Sequence, residues 1–144
     1  MLEAVIARIA ERVPALAGRV AGAADLAALM AAGALPAAPV SAHVIPLGLR
    51  AGPVSSATAP VHVQPLEETL AVVLVFRHAG AAGAGLAGSL RETVFACVAA
   101  LAGWAPPESP GAFRLVRAGL VRMAQGTLVY QIDIAIDGQL RVAA

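Results

Sequence analysis

Few side chains in this chain have the type and spacing that chemistry requires. The clearest motif is Gly83-Ala84-Gly85-Leu86-Ala87-Gly88, a GxGxxG match between an extended apolar run and a helical stretch. That is the context in which a dinucleotide pyrophosphate is held. Three features oppose the reading. Residues 79–83 intervene before the turn, whereas the fingerprint turns tightly off its strand. No strand ending in Asp or Glu follows at the required distance, because Glu108 falls in a Pro-rich segment. The chain is also too short for two mononucleotide-binding halves. A small nucleotide-binding enzyme is therefore the weaker alternative.

The other candidates fare no better. Glu67 and Glu68 are adjacent on an extended segment and point to opposite faces, so they cannot act as an acid/base pair on one substrate. Asp133 and Asp137 share a face but stand too far apart for a tight dyad, and a solvated or subunit-facing polar face suits them better. His43, His62 and His78 would have to converge to hold a metal, yet His62 and His78 lie near opposite ends of one extended run. Cys97, between Val94 and Val98 on a helix, reads as a small buried hydrophobe. Ser55, Ser56 and Thr58 sit in a Gly/Pro/Ser/Thr loop without a fixed base, and no serine occupies a nucleophile elbow. No catalytic, cofactor-binding or metal-binding residue is assigned, and no cofactor is implied.

The elements that would position these residues follow from periodicity. Leu2, Val5, Ile6, Ile9 and Val13 recur at helical spacing, giving an amphipathic helix that ends near Pro14. Asp25 is placed as N-cap of a short helix over residues 26–32. Residues 41–49 read as a strand, with Pro46 near an edge or bulge. Residues 50–60 form a projecting loop at the tip of a long hairpin.

Residues 67–78 are the strongest strand. Leu70, Val72, Leu74 and Phe76 lie on one side with Ala71, Val73 and Val75 on the other, which marks a strand covered on both faces. Residues 79–85 are a loop, and Leu86, Leu90, Val94, Val98 and Leu101 then form a helical stripe. Trp104, after Gly103, plugs the helix end where Pro106 and Pro107 stop it. Residues 113–123 are extended with a bulge expected around Ala118-Gly119. Residues 127–137 alternate strictly, one face buried and one polar.

Together these give an α/β (α+β) fold: one domain over residues 1–144, with a mixed, mostly antiparallel sheet of about four or five strands. The N-terminal helix and a longer central helix pack on it.

Composition narrows the function classes. Of 144 residues, 59% are hydrophobic and only 13% charged, so disorder is excluded and part of the surface is expected to be covered by other subunits. The net charge of +1 comes from ten cationic residues, all Arg, and offers no basic patch for nucleic acid. One cysteine rules out an internal disulfide framework. Glu3, Arg8, Glu11 and Arg12 break any signal-peptide core at the N-terminus. Residues 26–49 lack Asp, Glu, Lys and Arg, but their prolines and glycines prevent a membrane-spanning helix.

The order of these segments, with Ala42-His43-Val44-Ile45-Pro46-Leu47-Gly48, Glu67-Glu68-Thr69-Leu70 and the helix end Leu101-Ala102-Gly103-Trp104-Ala105-Pro106, resembles the phage tail terminator (tail completion) family of long-tailed phages and phage-derived particles. The resemblance implies a structural subunit forming a homohexameric ring at the head-proximal end of the tail tube. Such a ring stops tube polymerisation and provides the surface for head attachment. The implied partners are further copies of the chain, the tail tube protein and the head–tail connector. The implied location is the virion tail, assembled in the host cytoplasm. Another connector or neck protein of the same particle is the alternative. A closed ring is a heterologous assembly with different residues on its two sides. The interface candidates are Arg50, Ser55, Ser56 and Thr58 in the loop and Arg114, Arg117, Arg122 and Asp133 on the last strand pair.

Overall fold

A computed structural model describes residues 1–33, 38–54, 61–77, 83–124 and 126–143, with the side chains of residues 83–87 and 124 left out. The elements run α1 (Leu2–Arg12), a 3-10 turn (Pro14–Leu16), β1 (Val20–Gly22), α2 (Ala23–Ala31), β2 (Val40–Ala51), β3 (Val61–Arg77), α3 (Gly83–Leu101), β4 (Arg114–Ala124) and β5 (Thr127–Ala143). The five strands form one sheet in the order β1-β2-β3-β5-β4. Among the described strands only the β1–β2 pairing is parallel. The fold is the single-domain mixed α/β arrangement expected from periodicity.

β3 is the centre of the sheet. It pairs with β2 on one side and with β5 along its whole length on the other, from Val61 opposite Ala143 to Arg77 opposite Thr127. Its two halves differ in burial. Residues 70–76 are buried on both faces, while residues 61–69 are half-exposed. Leu70, Val72, Leu74 and Phe76 meet Ile132, Ile134, Val44 and the inner faces of α1 and α3 (Val5, Ile9, Cys97, Leu101) in the main core. On the opposite face Ala71, Val73 and Val75 form a smaller cluster with Ile45 and Val129. At ~3.4 Å per residue the 17-residue β3 spans roughly 55 Å, so about half of it runs past the core as an arm with the ends of β2 and β5.

The helix end is closed by backbone geometry. Gly103 takes φ +80, the left-handed conformation that ends α3, and a side chain there would be strained. Its N–H donates to the Phe113 carbonyl (2.8 Å), while the Phe113 N–H donates to the Trp104 carbonyl (2.9 Å). Trp104 stacks on Phe113 with centroids 6.1 Å apart. Arg8 of α1 lies 5.2 Å over the indole and donates from Nε to the Ala100 carbonyl (2.9 Å) at the negative end of α3. Gly111 completes the latch, because a Cβ there would sit 2.8 Å from the Asp137 carbonyl oxygen.

Four local expectations are corrected. The N-cap of α2 is Gly22, and Asp25 sits one turn further in, where its Oδ2 accepts from the Gly22 N–H (3.4 Å). The helix starts earlier because a carboxylate in the first turn serves the orphan N–H groups from within. Residues 83–85 belong to α3 and not to a loop. The register shifts of β4 fall between Leu115 and Arg117 and between Leu120 and Arg122, which places the extra residues at Val116 and Val121 on either side of Ala118-Gly119. β2 continues through Arg50 and Ala51, so the hairpin arms are longer than the apolar runs that mark them. Residues 55–60 of the expected projecting loop lie outside the described residues.

Leu70, 1% exposed and facing Ile134, is where the helix-side core meets the arm. Leu70→Ala is expected to lower unfolding stability by about 2–5 kcal/mol, because removed methylenes leave a cavity the sheet cannot close. Urea denaturation reads this as a lower midpoint at unchanged slope.

Candidate functional site

The charged side chains gather where the arm leaves the core, on the sheet face opposite α1 and α3. Arg114 at the start of β4 bridges two strands: Nη2 meets Glu67 of β3 and Nη1 donates to Asp137 Oδ1 of β5 (3.1 Å). The register sets Glu67 opposite both Asp137 and Arg50, so one row of charge crosses four strands. Arg50, Gly52, Pro65, Glu67 and Asp137 line an open cleft of about 370 Å³ beside it. Arg114 and its two partners are all at least a third exposed, and such pairs contribute only about 0–1 kcal/mol. A carboxylate already held by a guanidinium is also a poor general base. This cleft is a polar surface without an acid/base pair poised for chemistry.

One row nearer the core the balance changes. Arg117 donates from Nε to Asp133 Oδ2 (3.0 Å), and Gln131 Nε2 donates to Asp133 Oδ1 (2.7 Å). The Arg117 side chain is 78% exposed, but the Asp133 side chain is only 9% exposed. Asp133 therefore does not lie on a solvated polar face, as the alternation suggests. The strand pairs Asp133 with Ala71 in the second cluster, and the two hydrogen bonds make a buried carboxylate tolerable. No described residue makes a hydrogen bond or ion pair to Arg122, which stands exposed opposite Val129.

The remaining sequence candidates are scattered. His43 is 3% exposed on β2, and among the described residues neither its ring nitrogens nor the buried Ser41 Oγ has a hydrogen-bond partner. Burial pushes the His43 pKa below 6.5, with the Gly22 backbone and the Asp25 carboxylate pulling weakly the other way. His62 meets Gln64 Oε1 (3.3 Å) far out on the arm, and His78 lies outside the described residues. Ser55, Ser56 and Thr58 also lie outside them. Among the described residues no group of three or more His, Cys, Asp or Glu could hold a metal ion. The glycines of GxGxxG lie in the first turns of α3 rather than in a strand-to-helix turn. Cys97 is buried, its thiol pushed up to about 12 by desolvation, which makes it inert as a nucleophile. Among the described residues no helix is long and apolar enough to cross a membrane.

The surface feature that sequence reasoning missed is apolar. Leu115, Val116, Leu120, Val121 and Met123 of β4 are all exposed, as are Leu47, Leu49, Leu140 and Val142 on the arm. Alternation alone would bury half of each strand. The signal that betrays them is the absence of any following helix to cover β4.

Such a chain is a small sheet module whose apolar edge outweighs any catalytic group. The family model for phage tail terminator protein matches residues 1–142, and the chain belongs to that family. It is a structural component of a phage tail and so of the virion. No curated protein matches the chain.

Two expectations follow from the geometry. Arg117→Met leaves the buried Asp133 with Gln131 alone and is expected to cost about 1–3 kcal/mol, whereas Arg114→Met at the exposed bridge should cost no more than about 1 kcal/mol; urea denaturation of both variants separates the two cases. For His43, the folded pKa lies below the unfolded one, so the unfolded chain takes up the proton first. Stability is then fully present above pH 6.5 and declines as pH falls below it. His43→Gln should flatten that part of the stability–pH profile.

Proposed function

We propose that this chain is a ring-forming subunit that caps the head-proximal end of the tail tube, ends tube growth and presents the surface to which the head attaches. The observation that carries this reading is the uncovered apolar row on β4, Leu115 to Met123, on a chain with little charge. A lone copy would leave this edge in water, and a neighbour is the natural cover. β4 is an edge strand, and its two bulges twist it away from open-ended strand addition. That favours side-chain packing between copies in a closed assembly over fibrous growth.

In this reading the partners are five further copies of the chain, the tail tube protein and the head–tail connector. The assembly forms in the host cytoplasm, and the work is done by complementary surfaces without a cofactor. Family membership along nearly the whole chain supports the tail role.

The test is to purify the protein, measure its mass by light scattering and image it by negative stain, alone and with tail tubes. Six-fold rings, and rings seated at one end of tubes that then fail to elongate, are the expected result. A strict monomer inert towards tubes would overturn the reading. Label found at the head portal instead of the tube end would assign the protein to the neck.

A further inference from the structure

Arg114, Arg117 and Arg122 stand three and five residues apart, and on a regular strand those odd spacings would set Arg117 on one face and the other two on the opposite one. The extra residues at Val116 and Val121 cancel both steps. Arg114, Arg117, Gly119 and Arg122 fall opposite Ala135, Asp133, Gln131 and Val129 of β5, so all four share the face turned away from α1 and α3. Successive positions in this row are about 7 Å apart along the strand, with Gly119 midway between the last two arginines. The two bulges thereby build a line of guanidinium groups that the spacing in sequence hides.

At Gly119 the line has an open notch of about 210 Å³, bordered by Arg117, Val121 and Gln131. No atom lies within 4 Å of where a Cβ of Gly119 would stand. Arg117 gives its Nε to Asp133 Oδ2 (3.0 Å), and Gln131 Nε2 takes Asp133 Oδ1 (2.7 Å). The Arg117 side chain is 78% exposed, and among the described residues its two terminal nitrogens have no acceptor. Arg122 is exposed and has no partner among them either. Since Arg117 and Asp133 neutralise each other, the notch keeps the single positive charge of Arg122.

We infer that this notch binds one carboxylate, an Asp or Glu side chain on an exposed segment of another protein of the particle, held between Arg117 and Arg122 over Gly119. Its charge suits a monoanion. A nucleic-acid strand brings a charge with every nucleotide and needs a run of unmatched cations, whereas the next arginine in the line, Arg114, is already held by Glu67 and Asp137. Guanidinium forks also match the planar pair of oxygens of a carboxylate. Val121, 59% exposed at the border of the notch, gives the segment that carries the carboxylate an apolar surface to rest on. That the segment belongs to a different protein rests on the ring reading above. Leu115, Leu120 and Met123, the apolar side chains that a neighbouring copy would cover, lie opposite Ile134, Tyr130 and Leu128 on the helix-side face, which leaves the notch free.

The test is to titrate the 15N-labelled full-length protein with the blocked pentapeptide Gly-Val-Glu-Val-Gly, with its Gln counterpart and with a short oligothymidylate, and to follow the Gly119 amide and the Arg117 and Arg122 Nε–H signals by NMR. Saturable shifts with the Glu peptide alone are expected. Arg122→Gln should weaken that binding about tenfold, the worth of one charge-assisted hydrogen bond. Gly119→Val, which fills the notch at a position open to a side chain, should abolish it. Circular dichroism with thermal unfolding establishes that each variant is folded. Absence of saturable shifts, equal shifts with the Gln peptide, stronger shifts with the oligothymidylate, or an Arg122→Gln variant that binds like wild type would each overturn the inference. Light scattering keeps the ring reading separate: Arg122→Gln is expected to form rings as wild type does. Rings lost in that variant would put the carboxylate in a second copy and overturn its assignment to a different protein. A wild-type chain that never forms rings would overturn the ring reading, while the peptide titration still decides what the notch binds.

Discussion

Everything in this fold hangs on the pairing of β3 with β5. The two strands are in register over 17 residues each, and β3 is paired on its other side with β2 from Leu66 to Phe76. Half of that ladder is paid for by burial, since Leu70, Val72, Leu74 and Phe76 on one face and Ala71, Val73 and Val75 on the other are taken out of water together. A one-residue slip would turn Ile132, Ile134 and Ile136 away from the helices and drive Asp133 into the main core. The register is thus fixed by the core, and the outer half of the ladder inherits it. The alignment of Arg50, Glu67, Asp137 and Arg114 is a consequence of packing several residues away.

The helices serve that ladder by closing one face. α1 and α3 are tied to each other by Arg8, which stacks on Trp104 and holds the Ala100 carbonyl, and the Gly103–Phe113 hydrogen bonds return the chain to the sheet beside Asp137. This arrangement explains why the helix end Gly103-Trp104-Ala105-Pro106 is worth noticing in sequence. The glycine supplies a backbone angle, the tryptophan a surface for both Phe113 and Arg8, and the prolines a stop. The segment is a latch.

Where the sequence was legible, the reason is periodicity under burial. β5 shows clean alternation because the helices cover one face of it, and β3 shows apolar residues on both faces because both are covered. β1 is invisible to periodicity because three residues, Val20–Gly22, carry no period and are defined by a parallel partner more than twenty residues away. The outer arm extends beyond the strands that periodicity marks at residues 67–78 and 127–137, since Pro65 and Gly138 look like interruptions when local composition is considered alone, yet the register carries the strands through both. The surface candidates divided the same way. Arg114, Arg117 and Asp133 were recognisable as charges of interest, but their partners within the chain are set by cross-strand register, which no local window contains. The buried state of Asp133 depends on Ala71 beneath it and Arg117 across from it, again from two other strands.

The length of the β3–β5 ribbon also has a mechanical meaning. Its hydrogen bonds lie perpendicular to the strands, so a pull along the arm loads the whole ladder side by side and not one rung at a time. A force applied at the far end, near Val61 and Ala143, is carried as shear into the buried residues around Leu70 and Ile134. The arm is then a lever rooted in the core, and it would yield only when the core itself gives way.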